Sequence, residues 1–273
     1  MLKLISAIVA IMLVSIGLRA EEIDLFILAG QSNAQGWQGN AAKYPADPQG
    51  VDGKIRLWWT SPGISSSGGK WVTMQKQGGR FPAGHFGLEV AFACKFKEAG
   101  GNPAIFKYTL GSTSLAGNWK QPGQGGMYDN MAKELAKAVE MLKTDGQTVK
   151  FRGFIWIQGE SDAQNKPLAL AYEERLKNLI NNLRDKVTQT PEMPVILGVD
   201  EQHPWVVKNP EVITAQQNLA KSLKACAWTS LKELEKADST HLTPAALVLH
   251  GERIYDAYVK LTKPAATDKT KTP

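Results

Sequence analysis

At 273 residues, 43% of them hydrophobic and 21% charged, the chain is long enough for one sizeable α/β domain and too short for two, and it lacks the bias of disordered, collagen-like or coiled-coil sequences. The formal charge of +6 is dispersed and not striped with aromatic residues, so nucleic acid gains no support as a partner. A weak attraction to acidic polysaccharide is as much as the charge allows.

The chain begins with Lys3, an apolar run from Leu4 to Leu18 and small residues ending at Ala20, ahead of the acidic Glu21 and Glu22. This order predicts a secretory signal peptide over residues 1–20 and a secreted or periplasmic mature protein. The alternative is an uncleaved anchor, but the apolar run of 15 residues is short of the roughly 20 that a membrane-spanning helix needs. No later segment is apolar enough to cross a membrane, so no stable insertion is expected after cleavage. Export permits a disulfide. Cys94 and Cys226 read either as a pair or as two buried thiols, and neither has metal-ligand or redox spacing.

Five apolar runs follow: Ile23–Ala29, Ala104–Leu110, Phe151–Ile157, Val195–Val199 and the weaker Ala225–Ser230. Their near-continuous apolarity predicts strands buried on both faces. Helical spacing lies between them over 88–99, 127–143, 169–186 and 212–223, and a last helix opens at Pro244 with Thr243 placed to cap it. Strand alternating with helix predicts a parallel sheet with helices on both faces, and ligands bind such sheets beyond the carboxyl ends of the strands. The Gly-, Pro-, Ser- and Trp-rich region 36–80 reads as an insertion near the site, with 54–60 and 70–75 as the arms of a small hairpin. The Lys/Thr/Pro-rich stretch 263–273 is expected to be a disordered tail.

Four polar clusters follow strand ends. Gly30-Gln31-Ser32-Asn33 closes the first strand; Gly30 permits a tight turn, and Ser32 reads either as a helix cap or as a nucleophile whose own amide faces an oxyanion. No Gly-Lys-Ser/Thr phosphate loop and no G-x-S-x-G elbow is present. Gly111-Ser112-Thr113-Ser114 follows the second strand and offers backbone N–H groups. Gln158-Gly159-Glu160-Ser161-Asp162 ends the third. There the Gln158 amide is a candidate oxyanion donor, Glu160 and Asp162 read as a metal pair or an acid–base pair, and Glu160 reads also as a hydrogen-bonding group that fixes the loop. A serine nucleophile needs a base, and the base needs an orienting partner. Among His85, His203, His241 and His250, His241 has the best local partner, Asp238 three residues before it.

Taken together, these clusters resemble the SGNH-hydrolase superfamily, and within it the sialate O-acetylesterase-like domain of carbohydrate esterase family six, which includes acetylxylan esterases. The matching stretches are Phe26–Asn33, His85–Glu89, Lys107–Leu115, Trp156–Asp162 and Asp238–Thr243, in the family's order and spanning nearly all of the mature chain. The resemblance implies a three-layer α/β/α sandwich with a central parallel sheet of about five strands, SGNH/flavodoxin-like, over residues 21–262. It implies Ser32 as nucleophile, His241 as base and Asp238 as orienter. The oxyanion donors it implies are the Ser32 amide, the loop at Gly111 and Ser112, and the Gln158 side chain. Gln31, Asn33 and Glu160 are expected to support these groups. No metal or organic cofactor is implied, and the expected substrate is an acetylated carbohydrate: xylan, another polysaccharide or sialic acid.

Two residues depart from the family pattern. Ser112 stands where glycine is usual, and Leu88 stands in place of proline. Two other functions remain open at this level. One is a carbohydrate-binding protein without turnover, with Trp37, Trp58, Trp59, Trp71 and Trp119 as possible stacking faces; the other is a lipase or thioesterase of the same superfamily.

Overall fold

The computed structural model describes residues 20–263. Apart from Ala20 and Lys263, the predicted signal segment and tail lie outside the described residues. The strands are β1 (Glu22–Gly30), β2 (Arg56–Ser61), β3 (Ser65–Ser66), β4 (Val72–Thr73), β5 (Pro103–Thr109), β6 (Thr148–Ile157), β7 (Val195–Val199) and β8 (Cys226–Ser230). They form one sheet in the order β3-β2-β5-β1-β6-β7-β8, with β4 also paired to β2. Every pairing from β2 through β8 along that path is parallel, and β3 and β4 are short antiparallel additions to β2.

The five predicted strands are all present. The arms of the predicted hairpin also pair, Arg56 with Thr73 and Leu57 with Val72. However, β2 does more than the sequence suggested: it runs parallel to β5 from Arg56 to Thr60 and extends the parallel sheet to six strands. Its apolar core is only Leu57-Trp58-Trp59, too short a run to stand out from a Trp-rich insertion.

Side chains alternate faces along each strand, so a continuous apolar run feeds two cores. In β1, Ile23, Leu25, Ile27 and Ala29 point to one face, while Phe26 and Leu28 point to the other. The first face is covered by α3 (Met127–Thr144), α6 (Tyr172–Asn182) and α8 (Glu211–Ser222). The second is covered by α2 (Glu89–Glu98) and α9 (Pro244–Thr262). This is a three-layer α/β/α sandwich. Thr243 caps α9 as expected, its Oγ1 accepting the Ala246 N–H at 3.2 Å. The predicted helix over 169–186 is broken, with α5 (Lys166–Leu170) ending before α6 begins. The short helices α1 (Ser32–Gln35), α4 (Glu160–Ala163) and α7 (Pro204–Lys208) lie in the connections that follow β1, β6 and β7.

Strand β1 lies where the chain changes direction, with β5 and β2 on one side and β6, β7 and β8 on the other. Crevices form at such points beyond the carboxyl ends of the strands. The register lines those ends up. Gly30 stands beside Thr109 and Ile157, Ile157 beside Gly198, and Gly198 beside Thr229. Ser32, Gly111 and Gln158, two or fewer residues past their strands, therefore emerge along one edge.

Gly30 makes this junction possible. Its φ is +138°, and a Cβ there would sit 2.1 Å from the Ile157 carbonyl oxygen. Gly30→Ala is expected to cost at least ~2 kcal/mol of unfolding free energy. Urea denaturation of the variant beside the wild type measures this, and an unchanged midpoint refutes the constraint.

Candidate active site

Helix α1 starts at Ser32, directly after the β1 turn, and Ser32 itself is 5% exposed. No described residue accepts the Ser32 N–H. The next residue, Asn33, is buried and faces the far end of the chain. Its Nδ2 donates to the Thr240 carbonyl at 3.1 Å, and its Oδ1 accepts the Leu242 N–H at 3.2 Å. One carboxamide thus holds the backbone on both sides of His241.

The loop it holds is internally tied. The Ala237 N–H donates to the His241 carbonyl at 2.8 Å, and Asp238 Oδ1 accepts the N–H groups of Thr240 and His241, both at 2.8 Å. His241 Nδ1 faces both Asp238 oxygens, at 3.0 and 2.9 Å. A proton on Nδ1 donates to that carboxylate and leaves Nε2 as the acceptor. Gln38 Nε2 donates to Asp238 Oδ2 at 3.1 Å. Partial burial works to raise the Asp238 pKa. The bonds from His241, Gln38 and the two amides outweigh it and hold the carboxyl well below the ordinary range. Among the described residues no hydrogen bond joins the Ser32 hydroxyl to His241. Such bonds are often long before substrate binds.

The loop after β5 packs on Ser32. A Cβ on Gly111 would lie 3.4 Å from the Ser32 Cβ. The Gly111 N–H, expected as an oxyanion donor, donates instead to Gln35 Oε1 at 3.0 Å. Ser112 takes φ +58°, the left-handed region where only glycine escapes a Cβ penalty, and no described residue accepts its N–H. The departure at 112 therefore places a side chain on strained backbone, next in the chain to the Gly111 that packs on Ser32.

Gln158 is fully buried and its bonding is complete. Its Nε2 donates to the Thr113 carbonyl at 3.0 Å and to Asp162 Oδ2 at 2.7 Å, and its Oε1 accepts the Tyr172 hydroxyl at 2.9 Å. In this conformation Gln158 fixes the Thr113 loop and has no N–H left for an oxyanion. Asp162 also accepts the N–H groups of Leu115 and Ala116, at 2.6 and 3.0 Å. Asp162 thus fixes the loop after β5, a role the sequence reading offers only for Glu160. Gln31 Oε1 accepts the Ser161 N–H at 3.4 Å and ties the β1 and β6 ends together.

A family model described as carbohydrate esterase, sialic acid-specific acetylesterase matches residues 22–260. The chain belongs to this family. It is a carbohydrate O-acetylesterase by that membership. Solved structures share the fold at low identity. A protein from Arabidopsis thaliana aligns with a TM-score of 0.66 at 21% identity, covering 89% of this chain and 99% of its own. NanS aligns at 0.64 and 14% identity, covering 88% and 98%. A carbohydrate acetylesterase from Xanthomonas citri aligns at 0.56 and 20% identity, covering 87% of this chain and 56% of its own. No curated protein sequence matches the chain.

The esterase keeps a second carboxyl cluster behind the site. Glu160 Oε1 accepts the Asp200 N–H at 3.2 Å, Glu160 Oε2 has no partner among the described residues, and Lys236 Nζ lies 2.6 Å from Asp200 Oδ2. Burial, aided by Asp200, pushes the Glu160 carboxyl up to about 7, so its partnerless oxygen is best accommodated as a neutral acid. Asp200 and Lys236 were not singled out in the sequence, where nothing but position after β7 marks them. The metal reading of Glu160 and Asp162 gains nothing: among the described residues no cluster of three or more His, Cys, Asp or Glu is arranged to hold a metal.

The other histidines have other places. Burial pushes the fully buried His85 and His250 imidazoles down to about 4 and about 3. His203 Nδ1 accepts the Trp205 N–H at 3.2 Å and caps α7. Of the five tryptophans considered as stacking faces, Trp58, Trp59 and Trp119 are buried, and Trp71 donates to the Ala138 carbonyl at 2.8 Å. Trp37 alone of the five lies against the site, its ring centroid 5.9 Å from that of His241. Cys94 and Cys226 are free thiols, both pushed up to about 12 by burial. Among the described residues no helix is long and apolar enough to cross a membrane.

Two outcomes follow for stability. Glu160 holds a proton in the folded state up to about pH 7, against an ordinary value of 4.5, so the folded chain binds a proton that the unfolded chain has released between those values. Stability therefore falls as pH rises through that window, and Glu160→Gln removes this slope. Urea midpoints for both proteins at about pH 5 and about pH 7.5 test it, parallel changes in the two being the contrary result. Ser112→Gly relieves the left-handed strain at an exposed position and is expected to gain roughly 0.5–1 kcal/mol, read from the same denaturation curves.

Proposed function

We propose that the protein removes O-acetyl groups from carbohydrate through an acetyl-serine intermediate at Ser32. The observation that carries this reading is the paired hold on His241: Asp238 fixes its Nδ1, and Asn33 binds its loop to the residue beside Ser32. That arrangement supports His241 as base. Its Nε2 takes the Ser32 hydroxyl proton as the oxygen attacks the acetyl carbonyl carbon. The resulting oxyanion meets the two unpaired amides beside it, those of Ser32 and Ser112. As the tetrahedral centre collapses, the bond to the sugar oxygen breaks and that oxygen leaves with the proton from His241. Water then attacks the acetyl-serine, again losing its proton to His241, and acetate departs as Ser32 is reprotonated.

Gln158 enters this reading as a positioning residue, holding the Thr113 carbonyl and through it the donor loop. The charged, apolar and small-residue order over residues 1–20 supports action outside the cytoplasm.

Ser32→Ala is expected to abolish hydrolysis of p-nitrophenyl acetate and acetate release from acetylated sugars, while the thermal transition is retained. Asp238→Asn is expected to lower kcat by about three to four orders of magnitude, because the amide favours the wrong His241 tautomer. Wild-type turnover in the Ser32 variant would refute the nucleophile; wild-type turnover in the Asp238 variant would refute the orienting role.

A further inference from the structure

Arg80 takes no part in the steps above, yet the fold holds it beside them. Its Nε donates to the Trp37 carbonyl at 2.9 Å. The guanidinium carbon lies 3.9 Å from the centroid of the Trp37 ring and 4.9 Å from that of Phe81. Trp37 in turn is fixed to the nucleophile residue, its N–H donating to the Ser32 carbonyl at 3.0 Å, and its ring faces His241 at 5.9 Å. The same ring reaches the oxyanion loop, its Cε3 3.6 Å from where a Cβ on Gly111 would stand. Arg80 is thus stacked on an aromatic ring that lies beside His241 and the Gly111 loop.

This arginine has no counter-charge of its own. Among the described residues no carboxylate lies within ion-pair distance of it, whereas Arg56 and Arg152 both have acidic partners. Its two terminal nitrogens donate to no described residue, so the planar edge that binds carboxylates in a fork is open. Stacking and the Nε bond have already restricted the side chain, which lowers the ordering cost of binding an anion there.

Resting on the esterase reading above, we propose that Arg80 binds a carboxylate of the substrate, so that the enzyme selects O-acetylated sugar acids over neutral acetylated sugars. Both a sialic acid and a uronic acid of a plant polysaccharide present that group.

The test compares each acid with its own uncharged form. Acetate release is measured from 9-O-acetyl-N-acetylneuraminic acid and its carboxyl methyl ester, and from O-acetylated galacturonan and its methyl-esterified form. The readout is the ratio of kcat/KM for acid over ester, which is independent of how much protein is folded. Wild-type protein is expected to show a ratio well above one for at least one pair, falling as salt is added. In Arg80→Met that ratio drops by roughly tenfold to a hundredfold, and Arg80→Lys retains part of it. The pair that responds identifies which sugar acid is bound.

A wild-type ratio near one for both pairs, or a ratio unchanged in Arg80→Met, overturns the inference and leaves the esterase reading intact. Absence of turnover on all sugars and on p-nitrophenyl acetate instead overturns the esterase reading. In that event calorimetric titration with N-acetylneuraminate and with galacturonate decides for Arg80: binding lost in Arg80→Met supports it, and binding absent or indifferent to the substitution refutes it.

Discussion

The site depends on one side chain that joins the two ends of the domain. Asn33 follows the serine by one residue, and the backbone it binds at Thr240 and Leu242 lies more than two hundred residues later. Because it is buried, both halves of its carboxamide must find partners, and among the described residues the side-chain partners it has are the groups flanking His241. The His241 loop cannot drift from Ser32 without leaving the buried Asn33 amide unpaired on one side and the buried Leu242 N–H and half-buried Thr240 carbonyl on the other. The relative placement of Ser32 and His241 is thus enforced by the cost of an unmade hydrogen bond.

The rest of the edge is built on the same rule. Gln158 has both amide N–H groups and its oxygen bonded, and its contacts run to Thr113, Asp162 and Tyr172. Asp162 passes the constraint on to Leu115 and Ala116. On the other side of the serine, the buried Lys107 bridges Glu89 at 2.9 Å and the Gln35 carbonyl at 2.9 Å, and the Gln35 side chain takes the Gly111 amide. A buried ion pair of this kind contributes little net stability compared with apolar packing, but its geometry is specific. Here it fixes the end of α1, and so the loop opposite Ser32. With these amides committed, the Ser32 and Ser112 amides stand out as unclaimed donors, and Arg80 as an unclaimed cation.

Much of this was legible in the sequence. Apolar runs of five to seven residues mark all five strands of the predicted sheet, since a strand buried on both faces has few polar positions. Ser32, Asp238 and His241 are legible as candidates because they lie in polar clusters outside the apolar runs, and His241 is one of only four histidines. Strand β2 was half seen: its pairing with β4 is local, but its parallel pairing with β5 crosses the insertion and α2, and three apolar residues do not announce it. Lys107 carried a signal that could have been used, a lone charge inside an otherwise apolar strand, which requires a buried partner.

The sequence by itself determined the fold class, the family and the residue types able to perform ester hydrolysis, because hydrophobic period and motif order are properties of the chain. Only the tertiary structure decided which of those groups are free to act. Whether the Gly111, Ser112 and Gln158 donors are open or already bonded, whether Glu160 is charged, and whether Arg80 has a counter-ion are all questions of who stands within about 3 Å of whom. Partners such as Gln35, Asp162 and Trp37 come from separate segments of the chain, and no local pattern records that they will meet.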